Sequence, residues 1–269
     1  MTSSTVRKRF EFPEFHRWIE EQTSALPLVY FRIFFAAIWL VYDLIDVSAG
    51  QTAKILWFYR QAGQIHGVFI FQILLIICEG ALILGWRPGF FALCAFLARG
   101  AIVWVAPLND FYYFCVIALI LSQCQWGKKE VPAWSRDLLV IQTAWIYFAT
   151  AFFKLNPAFL SGGDLYARGN YEATVLPLPF PAFYKNWISH LNFDLGLSWM
   201  AVVLEMSMAL TLVFWLLAKK RRPQYRNKIR WIAICLSVAI HGYAAVFLNV
   251  FFFGASMITQ VALLTWEPI

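Results

Sequence analysis

The sequence predicts an all-α fold: a polytopic membrane helical bundle of about eight transmembrane helices, N-in and C-in, with a long outer loop as a lid. Three observations predict it. Hydrophobic residues make up 61% of the 269 positions and charged residues 14%, where soluble domains carry about 45–50% and about 25%. Apolar windows of about 20 residues, the length that crosses a bilayer as a helix, recur along the chain. Lysine and arginine collect in alternate connecting segments, as expected when positive loops stay cytoplasmic.

A soluble chain of this length has no interior large enough to hide so much apolar side chain. Disorder, a disulfide scaffold, a coiled coil and a nucleic-acid binder are excluded on the same composition. The 13 Trp, 11 Tyr and 26 Phe suit repeated membrane–water belts. The net charge of +7 belongs to loops. The five cysteines (Cys78, Cys94, Cys115, Cys124 and Cys235) show no CxxC spacing and sit in or beside apolar runs. They read as small buried apolar groups, and no metal site is expected.

Residues 1–27 precede the first span. Within them Arg7-Lys8-Arg9 followed by Phe10, Phe12, Phe15, Trp18 and Ile19 predicts an amphipathic helix over 7–26, lying on the cytoplasmic leaflet. Val47-Ser48-Ala49 looks like a signal-cleavage site, but the apolar run before it is too long and contains Arg32 and Asp43. The transmembrane domain then occupies 28–269, with spans at about 28–46, 67–86, 89–106, 108–125, 138–155, 198–217, 231–248 and 250–266. Gly85, Pro88-Gly89, Pro107, Pro132 and Pro157 separate them. With the N-terminus inside, inner segments hold 15 of the 22 basic residues and outer segments hold four. The seven at Lys219, Lys220, Arg221, Arg222, Arg226, Lys228 and Arg230 fix the orientation most strongly. The outer loop at 156–197 is rich in Gly, Pro and aromatic side chains, among them Tyr166, Tyr171 and Trp187, and is expected to fold back over the outer mouth.

Charges within the spans are costly, about 2.5–3.5 kcal/mol each on insertion scales, and so mark candidate sites. At 1.5 Å per residue, Arg99, Glu205 and His241 each fall about 10 Å from the outer end of their spans. Asp43, Lys154 and Asp110 lie near outer ends too, so six ionisable groups share the outer third of the membrane. Arg32, Trp39, Asp43 and Asp46 share one stripe of the first span. Taken singly, such groups fit interhelical pairs (Glu79 with Arg99, Glu205 with His241) or a snorkelling lysine. Taken together they predict a polar pocket open to the outer face. A lysine that can act as a base, beside a histidine and a carboxylate able to relay protons, fits proton abstraction from a lipid-soluble substrate such as a hydroquinone. Phosphoryl transfer would need Mg²⁺ ligands and a phosphate cradle, and neither motif is present.

The run Tyr147-Phe148-Ala149-Thr150-Ala151-Phe152-Phe153-Lys154-Leu155-Asn156, followed by Gly162-Gly163-Asp164-Leu165-Tyr166, resembles the HTTM membrane domain of the vitamin K-dependent gamma-carboxylase group. Phe31-Arg32-Ile33 with Asp43 and Asn109-Asp110-Phe111-Tyr112-Tyr113 resemble earlier helices of that family. Glu205 with the basic stretch 219–222, and His241 followed by Phe251-Phe252-Phe253, resemble the late ones. The resemblance implies a base at Lys154 that deprotonates a reduced vitamin K or related quinol, with His241 and Glu205 orienting or relaying. It implies substrate contacts from Asp43, Arg99, Asn109, Asp110, Tyr147, Asn156 and Tyr166, and oxygen-linked epoxidation or carboxylation as the chemistry, so that quinone binding and lyase or oxidoreductase activity follow. The carboxylase carries His after the Asn where this chain has Asp110. The chain ends at Ile269, just past the last span, so carboxylation of a protein substrate is not carried over.

The partners expected are a quinol or lipid, and a peptide or soluble partner on the outer face. The expected location is within a membrane, the cytoplasmic (inner) membrane if the source is bacterial, with the pocket facing the periplasm or outside. A second reading is a non-catalytic partner in peptide-toxin maturation or export, similar to the small HTTM proteins of the sporulation-delaying toxin system. There the lid aromatics Tyr171 and Trp187 would matter more than Lys154. An ion or proton transporter fits less well, because Arg32 and Glu79 alone do not complete a path inwards.

Overall fold

Each apolar window becomes a helix. The computed structural model describes residues 21–49, 65–105, 109–161, 193–221, 223–247 and 251–266. The chain there forms strand β1 (Gln22–Ser24) and helices α1 (Leu26–Ala49), α2 (Ile65–Leu84), α3 (Pro88–Val105) and α4 (Asn109–Gln123). Strand β2 (Glu130–Pro132) and helices α5 (Ala133–Phe153), α6 (Pro157–Leu160), α7 (Phe193–Arg221), α8 (Pro223–Phe247) and α9 (Phe251–Leu264) follow. The protein is therefore all-α, with one short ribbon. Three helices are long and apolar enough to cross a membrane by length and composition: within α1, Leu26–Ser48; within α2, Gly67–Leu84; within α7, Leu195–Ala218. Shorter apolar stretches occupy α3, α4 and α9.

The helices pack as a closed ring. Each neighbours the next along the chain (α1 with α2, α2 with α3, α3 with α4, α4 with α5), and then α5 meets α7, α7 meets α8, α8 meets α9, and α9 returns to α1. A further contact between α5 and α9 crosses the ring. Aromatic side chains fill its middle: Phe35 stacks on Phe114 at 5.3 Å, and Trp39 meets Phe114 edge-on at 5.1 Å. The outside is apolar as well, with Ile70, Phe90, Leu97, Trp104 and Trp145 all largely exposed. Such an exterior suits lipid and not water.

Local chemistry sets the joints. Between α2 and α3, the amide of Trp86 donates to Ala81 O at 3.0 Å and that of Gly85 to Leu82 O at 3.2 Å, a Schellman end. Gly85 sits at φ +74°, and an added Cβ would lie 3.1 Å from Arg32 Nη2. Pro88 then opens α3 at a position that needs no amide. β1 and β2 pair antiparallel, Thr23 opposite Val131, and the Ala133 amide donates to Glu21 O at 2.7 Å. The ribbon thus ties the starts of α1 and α5 to the same end of the ring, as the four successive helices α1–α4 require if they alternate in direction.

Two boundaries differ from expectation. Residues 22–24, expected within an interfacial helix over 7–26, are strand because they find a partner in Glu130–Pro132; residues 7–20 of that segment lie outside the described residues. The loop expected at 156–197 begins with the short helix α6, and α7 starts at Phe193, five residues before the expected span. Residues 162–192 of the lid lie outside the described residues.

Candidate functional site

Lys154 is the C-terminal cap of α5, a position where a cation meets the helix dipole favourably. Its Nζ pairs with Oε1 of Glu205, on α7. The lysine side chain remains 29% exposed and the glutamate 9%, so the pair sits at the mouth of the bundle and not in its middle. Phe159, on α6, lies with its ring centroid 5.6 Å from Lys154 Nζ, within reach of a cation–π contact. Phe159 is itself packed with Leu197 and Val202 of α7, so α6 lies against the helix that carries Glu205.

Asn156 explains why α6 forms there. Its Oδ1 accepts from the Phe159 amide at 2.9 Å, its Nδ2 donates to Phe153 O at 2.9 Å, and Pro157 occupies the first helical position. Asn156 thus shapes the turn that places Phe159 over the amine.

Two turns deeper on α5, the Tyr147 hydroxyl is 2.7 Å from His241 Nε2 and 3.3 Å from Ser237 Oγ, both on α8. Tyr147 and His241 are buried, at 2% and 5% exposure. Ser237 and His241 are one helical turn apart and share a face. Gly254 of α9 permits this arrangement: an added Cβ would lie 3.2 Å from His241 Cβ and 3.4 Å from its carbonyl oxygen. α5 therefore presents a lysine–carboxylate pair at its end and a Tyr–His pair one layer in. Glu205 Oε2 is buried and accepts no hydrogen bond from the described residues.

Asp43 and Arg99 belong to a second cluster. Arg99 Nη2, on α3, pairs with Asp43 Oδ2 of α1 and lies 3.7 Å from Glu79 Oε1 of α2; all three side chains are fully buried. The guanidinium lies over three rings: Phe111 at 4.6 Å, Phe114 at 4.7 Å and Trp39 at 5.2 Å. One turn on, Gln72 Nε2 donates to Asp46 Oδ2 at 2.6 Å. The polar stripe of α1 therefore faces protein throughout, since Arg32 at its other end lies over the Trp126 ring at 5.0 Å.

Of the residues expected at the site, the structure brings Lys154, Glu205, Tyr147, His241 and Asn156 to the α5–α7–α8 side. Glu205 meets Lys154 and not His241, the partner that equal depth had suggested. Asp43 and Arg99 meet each other between α1 and α3. The side chains of Asn109 and Asp110, and all of Tyr166, lie outside the described residues. Sequence reasoning missed Phe159 and Ser237; the one-turn spacing of Ser237 from His241 was an available signal for the second. It also missed a buried network in which the Tyr113 hydroxyl donates to Gln260 Oε1 at 2.6 Å while Gln260 Nε2 donates to Leu139 O at 3.0 Å. Among the described residues, no three His, Cys, Asp or Glu side chains converge as a metal site would need.

The fold and the site define a helical-bundle protein with an apolar exterior, buried charge pairs, and a half-open lysine–carboxylate pair at one end. Comparison of the chain with known protein families, curated proteins and solved structures gives no match.

Proposed function

We propose that the protein is a quinol-dependent, oxygen-linked membrane enzyme of the kind that the vitamin K-dependent gamma-carboxylase resemblance implies, with Lys154 as its base. In this reading all eight long helices cross the membrane, the termini face the cytoplasm, and the Lys154 pocket opens outwards. The observation that carries it is the Lys154–Glu205 pair beside Tyr147–His241. A lysine and a carboxylate in a low-dielectric mouth can shift one proton along their shared hydrogen bond. With the proton on Glu205, Lys154 Nζ offers a lone pair at the exposed edge of the site.

The residues fit a quinol. Glu205 Oε2 is a buried acceptor that a ligand hydroxyl would satisfy, and the Phe159 ring supplies an apolar wall. The quinol supplies an ionisable hydroxyl and the reducing equivalents that dioxygen consumes. Lys154 takes the hydroxyl proton and Glu205 holds the amine in place. His241, fixed by Tyr147, gives the site a second proton-carrying group one layer deeper.

The test is turnover of reduced quinone by the protein in proteoliposomes under air. Lys154→Ala is expected to abolish quinol consumption and epoxide formation while the protein still folds; wild-type turnover in that variant contradicts the assignment. Alanine at Tyr171 or Trp187 costing more than alanine at Lys154 favours the peptide-partner reading.

A further inference from the structure

The C-terminal part of α7 and the N-terminal part of α8 carry a groove of about 680 Å³ on the outside of the bundle. This volume is in the range of small-molecule sites, about 300–1,000 Å³. Helical spacing builds it. On α7 Phe214 and Leu217, and on α8 Ile229 and Ile232, line the walls; Tyr225 and Lys228, four residues before Ile229 and Ile232 respectively, lie on the same face. Because Tyr225 precedes Ile232 by about 10 Å of helix, the phenol and the ammonium lie towards the turn end and the apolar groups run away from it, with Thr211, its hydroxyl donated to Ser207 O at 2.7 Å, at the far end.

The other basic side chains of this stretch are turned elsewhere. Arg226 is buried with its guanidinium 4.2 Å from the Trp215 ring centroid, and Arg230 donates to Ala262 O of α9 at 3.4 Å. Lys228 is exposed and has no ion pair or hydrogen bond among the described residues. The groove is thus a long apolar trough with an ammonium and a phenol at one end. That end adjoins Lys219, Lys220, Arg221 and Arg222 in sequence. Its charge complements a phosphate, and its walls complement an acyl chain.

We propose that this groove binds one anionic phospholipid, its chain along Phe214, Leu217 and Ile232 and its phosphate accepting hydrogen bonds from Lys228 Nζ and the Tyr225 hydroxyl. The inference rests on the membrane placement of α7 and α8 and is independent of the chemistry at Lys154. It assigns a lipid contact to the face opposite the proposed pocket, where the anionic leaflet meets the basic turn.

The experiment equilibrates the intact protein with vesicles of equal phosphatidylglycerol and phosphatidylcholine and counts retained lipids by native mass spectrometry. Wild type is expected to retain phosphatidylglycerol preferentially. Lys228→Gln is expected to lower that preference about fivefold, the size of one lysine's attraction to an anionic headgroup. Lys228→Arg should keep it. Ile232→Trp, which fills the trough, should lower retention of both lipids. An unchanged preference in Lys228→Gln overturns the proposal, as does equal retention of the two lipids by wild type. A lipid-free dimer would place a second copy in the groove and overturn it as well. Quinol turnover measured on the same variants separates this outcome from the Lys154 assignment, since Lys154→Ala should leave lipid retention unchanged.

Discussion

Lys154 and Glu205 depend on each other unequally. The lysine is 29% exposed and can reach water if the carboxylate is lost; the glutamate, at 9%, has no such escape. Solvent at the lysine screens the pair, so its coupling falls between surface and buried values, about 1–2 kcal/mol. Lys154→Ala should therefore destabilise the protein more than Glu205→Ala, and the double variant should lose less than the two single losses added. Thermal unfolding in detergent across the four proteins measures this. Strict additivity would show that the two side chains do not interact.

The Arg99 cluster has a different ledger. One cation faces two carboxylates with no access to water, and Asp43 is the nearer. Removing Arg99 leaves two buried anions, a loss of about 3–5 kcal/mol. Asp43→Asn should cost nearly as much, because it unpairs the guanidinium. Glu79→Gln should cost far less, because it removes the carboxylate that repels Asp43 while the nearer pair stays intact. Unfolding midpoints ranked with Glu79→Gln as the most damaging of the three would contradict this assignment of partners.

At the scale of elements, the spacing of α8 from α9 decides where His241 sits. A methyl at Gly254 would meet His241 Cβ and its carbonyl, both backbone-anchored and unable to yield cheaply. Gly254→Ala is expected to cost about 1–3 kcal/mol through overpacking and to lower turnover by displacing His241 from Tyr147. Unchanged turnover with a normal midpoint would show that the helices can separate without consequence.

Much of this was legible in the sequence. The eight apolar windows coincide with α1–α5 and α7–α9, because a 20-residue apolar run states its own length, and Gly85-x-x-Pro88 marks its own turn. The positions of Glu205, His241 and Arg99 along their own helices were legible for the same reason: rise per residue is fixed. Which residues pair was not. Depth gives one coordinate, whereas the choice between His241 and Lys154 for Glu205 depends on α5 lying beside α7 in the ring. Likewise Arg99 meets Asp43 only because α1 and α3 turn those faces together. The β1–β2 ribbon was invisible because three-residue strands carry no periodic signal.

For the molecule as a whole, the ring and the charge distribution make one topological statement. Gly127, near the β2 end, should share a side with the basic turn at 219–222, and Ser161, past α6, should lie opposite. Single cysteines placed at these sites in a background without the native five should label from opposite sides of sealed vesicles, with Gly127→Cys reached from the cytoplasmic side. Labelling of both from one side would show that α5 does not cross the membrane.

The most direct measurement is a reconstruction of the protein in lipid nanodiscs with reduced quinone present. Ring-shaped density is expected against Phe159, with a hydroxyl between Lys154 Nζ and Glu205 Oε2. Density for the quinone elsewhere, with Lys154 turned away from Glu205 into the headgroups, would contradict it.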